Sequence, residues 1–497
     1  MNETVDVIVI GAGQAGPSLA VRFAKEGRRV VLIEKARLGG TCVNNGCIPT
    51  KTLVASARVA YLARRAADFG VLLDSPVRVD MAAVKARKDQ VVQESIDGLT
   101  QWLESTPKLT MYRAAARFVG PHTVDLGDVQ IEAERIVINV GGRAVVPDWP
   151  GLAAVPYLTN SSMMALDVVP EHLVVVGGSY IGIEFAQMMR RFGARVTVVE
   201  SAPRLIPRED PEISAAIQAL LEGEGIACRL GARNLAVRAE RLSSAADPAP
   251  GAAYAAASIS PIPSGERGGG EGTVPGTAAG FTLHGVDAGG AFEVRGSHLL
   301  FAIGRRPNTD DLGLDRAGIA TDARGYIQVD DTLQTSVPGV WAAGDVNGRG
   351  AFTHTAYNDH EIIAANLLDG DARRVSDRIA AYALYTDPPL GRIGITAAEA
   401  RAAGRQALVA TLPMSRVGRA RERSETIGMM QVLVDPHTRL ILGAALLGVE
   451  ADEVVQALLT LMYARQPYTV MQRAVYIHPT VSELLPTLLA GLKPLGA

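Results

Sequence analysis

VDVIVIGAGQAG, residues 5–16, decides how this chain is read. An apolar run over 5–10 leads straight into Gly11, Gly13 and Gly16. The next stretch, PSLAVRFAKEGRRVVLIEK (17–35), has the pattern of a helix and then a second strand ending at Glu34. That order of strand, glycine turn, helix, strand and acid is the dinucleotide-binding fingerprint in its proper context. The glycines allow a tight turn and a close approach of backbone to a pyrophosphate. The helix start offers unpaired N–H groups, and the terminal carboxylate takes a ribose hydroxyl pair.

The pattern returns at HLVVVGGSYIGIEFAQMMRRFGARVTVVES, residues 172–201. Glu200 follows Gly177 by 23 positions, as Glu34 follows Gly11, and Gly182 takes the place of Gly16. Two such units predict two dinucleotides. Ser179 stands where the first unit has Gly13, so a Cβ intrudes at the phosphate and a looser contact is expected there. A carboxylate at Glu200 accepts ribose hydroxyls and repels a 2′-phosphate, which favours NADH over NADPH. Arg204 and Arg208 stand near enough in sequence to reach an added phosphate, which tempers that preference.

Between the two units lies GGTCVNNGCIPTK, residues 39–51, which holds two of the three cysteines in 497 residues. A disulfide closing so short a loop removes little unfolded-state entropy, so a stabilising role fits poorly. No third or fourth ligand stands nearby at zinc-type spacing, so no metal site is expected. A dithiol beside one dinucleotide site, in a chain with a second, points instead to electrons passing from nicotinamide through flavin to sulfur. The third cysteine, Cys228 in GIACRL, reads as a small apolar strand residue.

With these motifs the sequence resembles the class I pyridine nucleotide-disulfide oxidoreductases, the flavoproteins that include dihydrolipoamide dehydrogenase, glutathione reductase and mercuric reductase. Apart from one insertion, the resemblance covers nearly the whole chain. It implies an α/β fold: two Rossmann-like domains, for FAD and NAD(P), and a C-terminal α+β dimerisation domain. The implied bounds are 1–150 and 305–365 for FAD, 151–304 for NAD(P), and 366–497 for the interface. It further implies that Cys47 faces the flavin in a charge-transfer contact while Cys42 exchanges with substrate. Lys51 would stand by the flavin N5 and pair with Glu184, and Tyr180 would cover the nicotinamide pocket until the cofactor enters. Gly40 and Thr41 would line the flavin site, and Ile181 the nicotinamide site.

In TSVPGVWAAGDVNG (335–348) apolar residues run into Gly344 and Asp345, and the resemblance implies a strand whose end would place that carboxylate on the ribityl hydroxyls. The following AFTHTAYNDHEIIAANLL (351–368) reads as a helix whose N-terminus stabilises negative charge on reduced flavin. His354 lies there, and a packing or capping role suits it as well as a flavin contact. ERIVINVGGRA (134–144) and HLLFAIGRRPNT (298–309), with Gly141 and Gly304, resemble the family's crossover segments. The first has Asn139-Val140-Gly141 in place of Ala-Thr-Gly, which removes the usual hydroxyl.

Dithiol exchange needs a base. His478 in YIHPTVSELLP, with Glu483 at the spacing of His-Pro-Thr-x-x-Glu, is the candidate. The resemblance implies that this segment reaches the other subunit's active site, so the homodimer is the catalytic unit. GMMQVLVDPHTRLILGAALLG (428–448) reads as two strands joined by a turn, and ADEVVQALLTLMYA (451–464) as an apolar-striped helix. The stretch 243–280, rich in Ala, Gly, Ser and Pro, is expected to be a disordered surface excursion from the nicotinamide domain.

The net charge of −3 and scattered charges argue against nucleic acid. No basic leader and no run of about 20 apolar residues is present, so the reading is a soluble cytoplasmic protein without a membrane partner. Several acceptors stay open: a small dithiol or disulfide as in dihydrolipoamide dehydrogenase, a metal as in mercuric reductase, or the targets of copper and reactive-chlorine defence flavoproteins. Mercuric reductases carry an extra C-terminal cysteine pair, whereas no cysteine follows Cys228 here, so metal delivery by that route is excluded. A docking subunit of an acyl-transfer complex and a slow redox sensor are the remaining readings.

Overall fold

The structure is a computed structural model that describes residues 2–241 and 278–496. The excursion expected at 243–280 lies outside the described residues up to 277. Its last three residues, 278–280, are strand, because Ala278–Asp287 pairs antiparallel with Arg233–Arg241.

The first sheet is built on strand Asn2–Ile10, with Val30–Ile33 and Leu109–Tyr112 parallel on one side and Gln130–Ile138 parallel on the other. Val340–Ala342, two hundred positions further along, adds in parallel to Gln130–Ile138, so residues past the second unit return to the first sheet. The short antiparallel strands Thr123–Asp125 and Arg117–Gly120 extend the sheet from the same edge of Gln130–Ile138 as Val340–Ala342, the edge away from Asn2–Ile10. Val30–Ile33 is buried along its whole length, as expected of a parallel strand covered on both faces. Helix Gly16–Lys25 covers one face. Pro17 opens it, where a missing N–H costs nothing, and Arg22 and Lys25 close it against the negative end of its dipole.

A second parallel sheet has the order Ala227–Leu230, Arg195–Glu200, His172–Val176, His298–Phe301. Three antiparallel strands, Arg233–Arg241, Ala278–Asp287 and Gly290–Gly296, stand beside it. Gly142–Ala144 and Arg305–Pro307 pair with each other where the chain crosses between the two halves. The C-terminal part is a six-stranded antiparallel sheet, with Ile441–Leu447 paired to Met429–Val434 and helix Ala451–Tyr463 packed on it. The expected hairpin and apolar-striped helix are both present.

The two glycine units are geometric copies. Gly11 and Gly177 have φ of +102° and +111°, a region open to glycine. A Cβ at Gly11 would lie 2.3 Å from the Asn139 carbonyl oxygen, and one at Gly177 would lie 2.4 Å from that of Ala302. At Gly16 and Gly182 a Cβ would meet the carbonyl of Gly11 or Gly177 at 2.1 and 2.0 Å, so helix and strand pack backbone to backbone. No side chain can enter at these four places without moving a main chain.

Candidate active site

One continuous cleft of about 2420 Å³ runs between the halves. It is more than twice the size of an ordinary small-molecule pocket of at most ~1,000 Å³. Gly11, Gly13, Glu34, Gly40, Thr41, Gly141, Gly344 and Asp345 line it from the first sheet, and Gly177, Tyr180, Ile181, Glu200 and Gly304 from the second. Cys42, Cys47, Lys51 and Glu184 stand between them. Gly16 and Gly182 lie behind the wall, as their packing role requires.

Each terminal acid is held by its own glycine loop. Glu34 accepts from the N–H of Ala12 and of Ala36, both at 2.8 Å. Glu200 accepts from Gly178 at 2.6 Å and Ala202 at 2.7 Å. The two backbone partners correspond, and Glu200 accepts in addition from the Ser201 hydroxyl at 3.1 Å, so both carboxylates are preset at the cleft edge.

Asn139, which breaks the expected Ala-Thr-Gly, turns out to be structural to the first cradle. Its Oδ1 accepts from the Gly16 N–H at 3.0 Å and its Nδ2 donates to the Ala343 carbonyl at 2.8 Å. It therefore ties the helix start to the strand that carries Asp345. A Cβ at Gly13 would sit 3.0 Å from the Asn139 Oδ1, and one at Gly40 would sit 2.8 Å from the Gly13 Cα. The second unit has Ala302 opposite its loop, with no side-chain amide to crowd Ser179. This explains why the serine is tolerated there. These close backbone approaches, the preset acids and the size of the cleft fit an FAD in the first half and a nicotinamide dinucleotide in the second.

Cys47 is the first residue of helix Cys47–Arg64, where unpaired N–H groups favour an anion. Its sulfur lies 3.0 Å from the hydroxyl of Thr353, the first residue of helix Thr353–Ala364. A hydrogen bond from the Cys42 thiol, that of Thr353 and the charge of Lys51 together lower the Cys47 thiol to about 6, against the opposing pull of burial and Glu184. Cys42 moves the other way, because it keeps the shared proton and is itself buried. The pair is thus divided into a thiolate at Cys47 and a protonated thiol at Cys42. Thr353 was not singled out from sequence. The only signal was a hydroxyl at the start of a helix already read as facing the flavin.

Lys51 Nζ donates to Glu184 Oε2 at 2.7 Å and lies 4.6 Å from the centre of the Tyr385 ring. The other oxygen of Glu184, a residue only 5% exposed, accepts from the Tyr385 N–H at 2.9 Å. Tyr180, Glu184, Gln187 and Arg191 form one stripe of helix Tyr180–Phe192. Its far end is clamped: Arg191 binds Glu224 and Asp387, and Asp387 also accepts from Arg58 at 2.5 Å. Arg58 belongs to the Cys47 helix. The two helices are therefore locked to each other one end beyond the Lys51–Glu184 pair.

Asp345 accepts from Arg305 at 3.2 Å. His354 lines the cleft, stacks on Phe352 at 5.4 Å, and its Nε2 meets the Ala381 carbonyl at 2.7 Å. Cys228 lies on strand Ala227–Leu230, where burial pushes its thiol up to about 12. His478 and Glu483 are together but apart from the dithiol. His478 Nδ1 is 2.8 Å from Glu483 Oε2, yet neither residue lines the cleft, and the imidazole is 80% exposed. Beside it Val475 and Ile477 are 99% and 79% exposed. Among the described residues no helix is long and apolar enough to cross a membrane.

The model of the pyridine nucleotide-disulphide oxidoreductases matches residues 5–249 and 273–359, and the dimerisation domain of the same enzymes matches 380–489. The chain belongs to this family. It is 33% identical to the probable pyridine nucleotide-disulfide oxidoreductase RclA of Escherichia coli K12, over 98% of this chain and 99% of that one. Mercuric reductase of Streptomyces lividans is 33% identical over 91% and 88%. Dihydrolipoyl dehydrogenase of Bacillus subtilis is 29% identical over 96% of each. The solved structure of the HOCl-induced flavoprotein disulfide reductase RclA from Escherichia coli superposes with a TM-score of 0.82 at 32% identity, covering 98% and 99%. As a pyridine nucleotide-disulphide oxidoreductase, the protein is an FAD-dependent, NAD(P)H-linked enzyme with a dimerisation domain at its C-terminal end.

In this family member the division of the thiols has a measurable pH signature. With Cys47 against the flavin, as the family resemblance implies, the charge-transfer absorbance of the two-electron-reduced protein should appear above a midpoint of about 6 and fade below it, as Cys47 takes up a proton. Thr353→Val deletes a donor to the thiolate and should move that midpoint upward. An unchanged midpoint would remove Thr353 from the account.

Proposed function

We propose that the protein is an NADH-preferring disulfide reductase with Cys42 as the exchange thiol, Cys47 as the thiolate on the flavin, and active sites shared across a homodimer. The observation that carries the reading is the Cys47 thiolate, held by Thr353 at the junction of two dinucleotide cradles. A bound flavin would supply two-electron transfer between the nicotinamide and the Cys42–Cys47 pair. Glu34 and Asp345 would hold the ribose and ribityl hydroxyls of the FAD, and Glu200 the ribose hydroxyls of the nicotinamide dinucleotide. Lys51, steadied by Glu184, keeps positive charge beside the thiolate. Cys42 must lose its proton to attack an acceptor disulfide. His478, oriented through Nδ1 by Glu483, receives that proton at Nε2 in the other subunit's site. Tyr180 covers the nicotinamide pocket between turnovers. The domain division at about 150, 304 and 365 follows the same reading and is supported by the crossover strands Gly142–Ala144 and Arg305–Pro307.

Likeness over both full lengths to RclA, an HOCl-induced disulfide reductase also solved as a Cu(II) complex, supports flux from a pyridine nucleotide toward an acceptor of oxidative defence, either a small disulfide or a metal ion. Dihydrolipoamide oxidation is the second reading, favoured by the His478–Glu483 pair. Anaerobic turnover of the flavin-loaded protein separates them. The expected result is NADH oxidation by small disulfides or Cu(II), with kcat/KM at least about tenfold below this for NADPH. Faster NADH formation from dihydrolipoamide and NAD⁺ would establish the second reading, and a preference for NADPH would overturn the role of Glu200.

A further inference from the structure

Tyr180 is packed by residues that sequence gave no reason to connect with it. Its ring lies edge-on to Phe352 at 5.8 Å and to Tyr382 at 5.3 Å, with interplanar angles of 77° and 73°. Phe352 and Tyr382 stack face to face at 5.6 Å and 12°. Tyr180 and Phe352 line the cleft, whereas Tyr382, on strand Ala381–Leu384 of the C-terminal sheet, stands behind them.

The hydroxyl of Tyr382 donates to Glu209 and is within hydrogen-bond reach of the Tyr180 hydroxyl. Glu209 is 1% exposed and sits on the loop that runs from Glu200 to helix Pro211–Gly223. Its other carboxylate oxygen has no hydrogen-bond partner and lies 3.7 Å from Arg392 Nε. Arg392 also binds Asp210 at 3.3 Å, and Asp210 accepts from the N–H groups of Ala397 and Ala398 at 3.0 and 2.9 Å. Burial disfavours the charged form of Glu209, so the carboxylate is kept at a cost. An apolar pair would join loop to sheet without that cost. What the carboxylate adds is a directional hold on one ring.

We propose that Tyr382 is a positioning residue for the nicotinamide pocket: Glu209 fixes its ring, and that ring with Phe352 holds Tyr180 across the entrance, so that dinucleotide entry must break the Tyr180–Tyr382 contact. The inference rests on the reading of Tyr180 as the pocket's cover. Tyr382→Phe keeps the packing and deletes the hydroxyl's contacts with Glu209 and with the Tyr180 hydroxyl. A looser cover holds the binding-competent form at a higher fraction, which tightens apparent binding.

The test is calorimetric titration of the full flavin-loaded chain with 1,4,5,6-tetrahydro-NAD, which cannot give up a hydride. Y382F should bind it about three- to tenfold more tightly, the size of one lost hydrogen bond. The limiting rate of turnover with NADH should stay within about twofold, so the effect falls on KM rather than kcat. Tyr180→Ala should also tighten binding, and adding Y382F to it should then change affinity by less than about twofold, since the two act through one contact. If Y180A tightens binding and Y382F does not, the hold by Tyr382 is refuted while the cover stands. If Y180A leaves affinity unchanged, the cover itself falls, and the inference with it.

Discussion

Serine in place of Cys42 is expected to lower turnover with a disulfide acceptor by more than about 10³-fold, while NADH still reduces the flavin of the same protein. The reason lies in the division between the two sulfurs. Cys42 is the thiol that keeps the proton, and only a sulfur there can form the mixed disulfide with an acceptor. A serine hydroxyl still donates to Cys47, so the thiolate and its charge-transfer absorbance should persist. Cys47→Ser should do the reverse and abolish the absorbance, because the anion stabilised by Thr353 and Lys51 is gone. Stopped-flow spectra and steady-state rates of the two variants separate the roles. Unchanged acceptor turnover in C42S would defeat the assignment of the exchange thiol.

His478→Ala should cost about 10²- to 10⁴-fold in dithiol exchange, the usual range for a lost general acid–base. The more telling experiment mixes two inactive proteins. The His478 imidazole is 80% exposed in one chain and does not line that chain's own cleft, while Val475 and Ile477 beside it present bare apolar surface. If a second copy covers this segment and receives His478, a heterodimer of C42S and H478A has one site with both native groups and one with neither. Random reassembly then restores roughly one quarter of native activity. No recovery, with heterodimers shown to form by tag exchange, would place the base elsewhere.

The glycine units, their acids and the spaced cysteines were legible because each depends on residues close together in the chain. A turn that needs positive φ, a helix that starts on unpaired N–H groups and a thiol at that start are decided within about twenty residues. The same reading found Lys51 and Glu184, 133 positions apart, only through family likeness, since nothing local to either residue names the other. Asn139 looked like a lost hydroxyl and proved to be the brace between Gly16 and Ala343.

By itself, then, the sequence determined two nucleotide cradles, a spaced cysteine pair beside the first of them and an acid at the end of each second strand. Tertiary structure alone brought Thr353 to Cys47 across 306 positions, divided the two thiols, and set Tyr382 and Glu209 behind Tyr180. The physical reason is range. Backbone conformation and helix dipoles act over a few residues, whereas a thiol's proton affinity and a ring's mobility depend on whichever groups the fold packs against them.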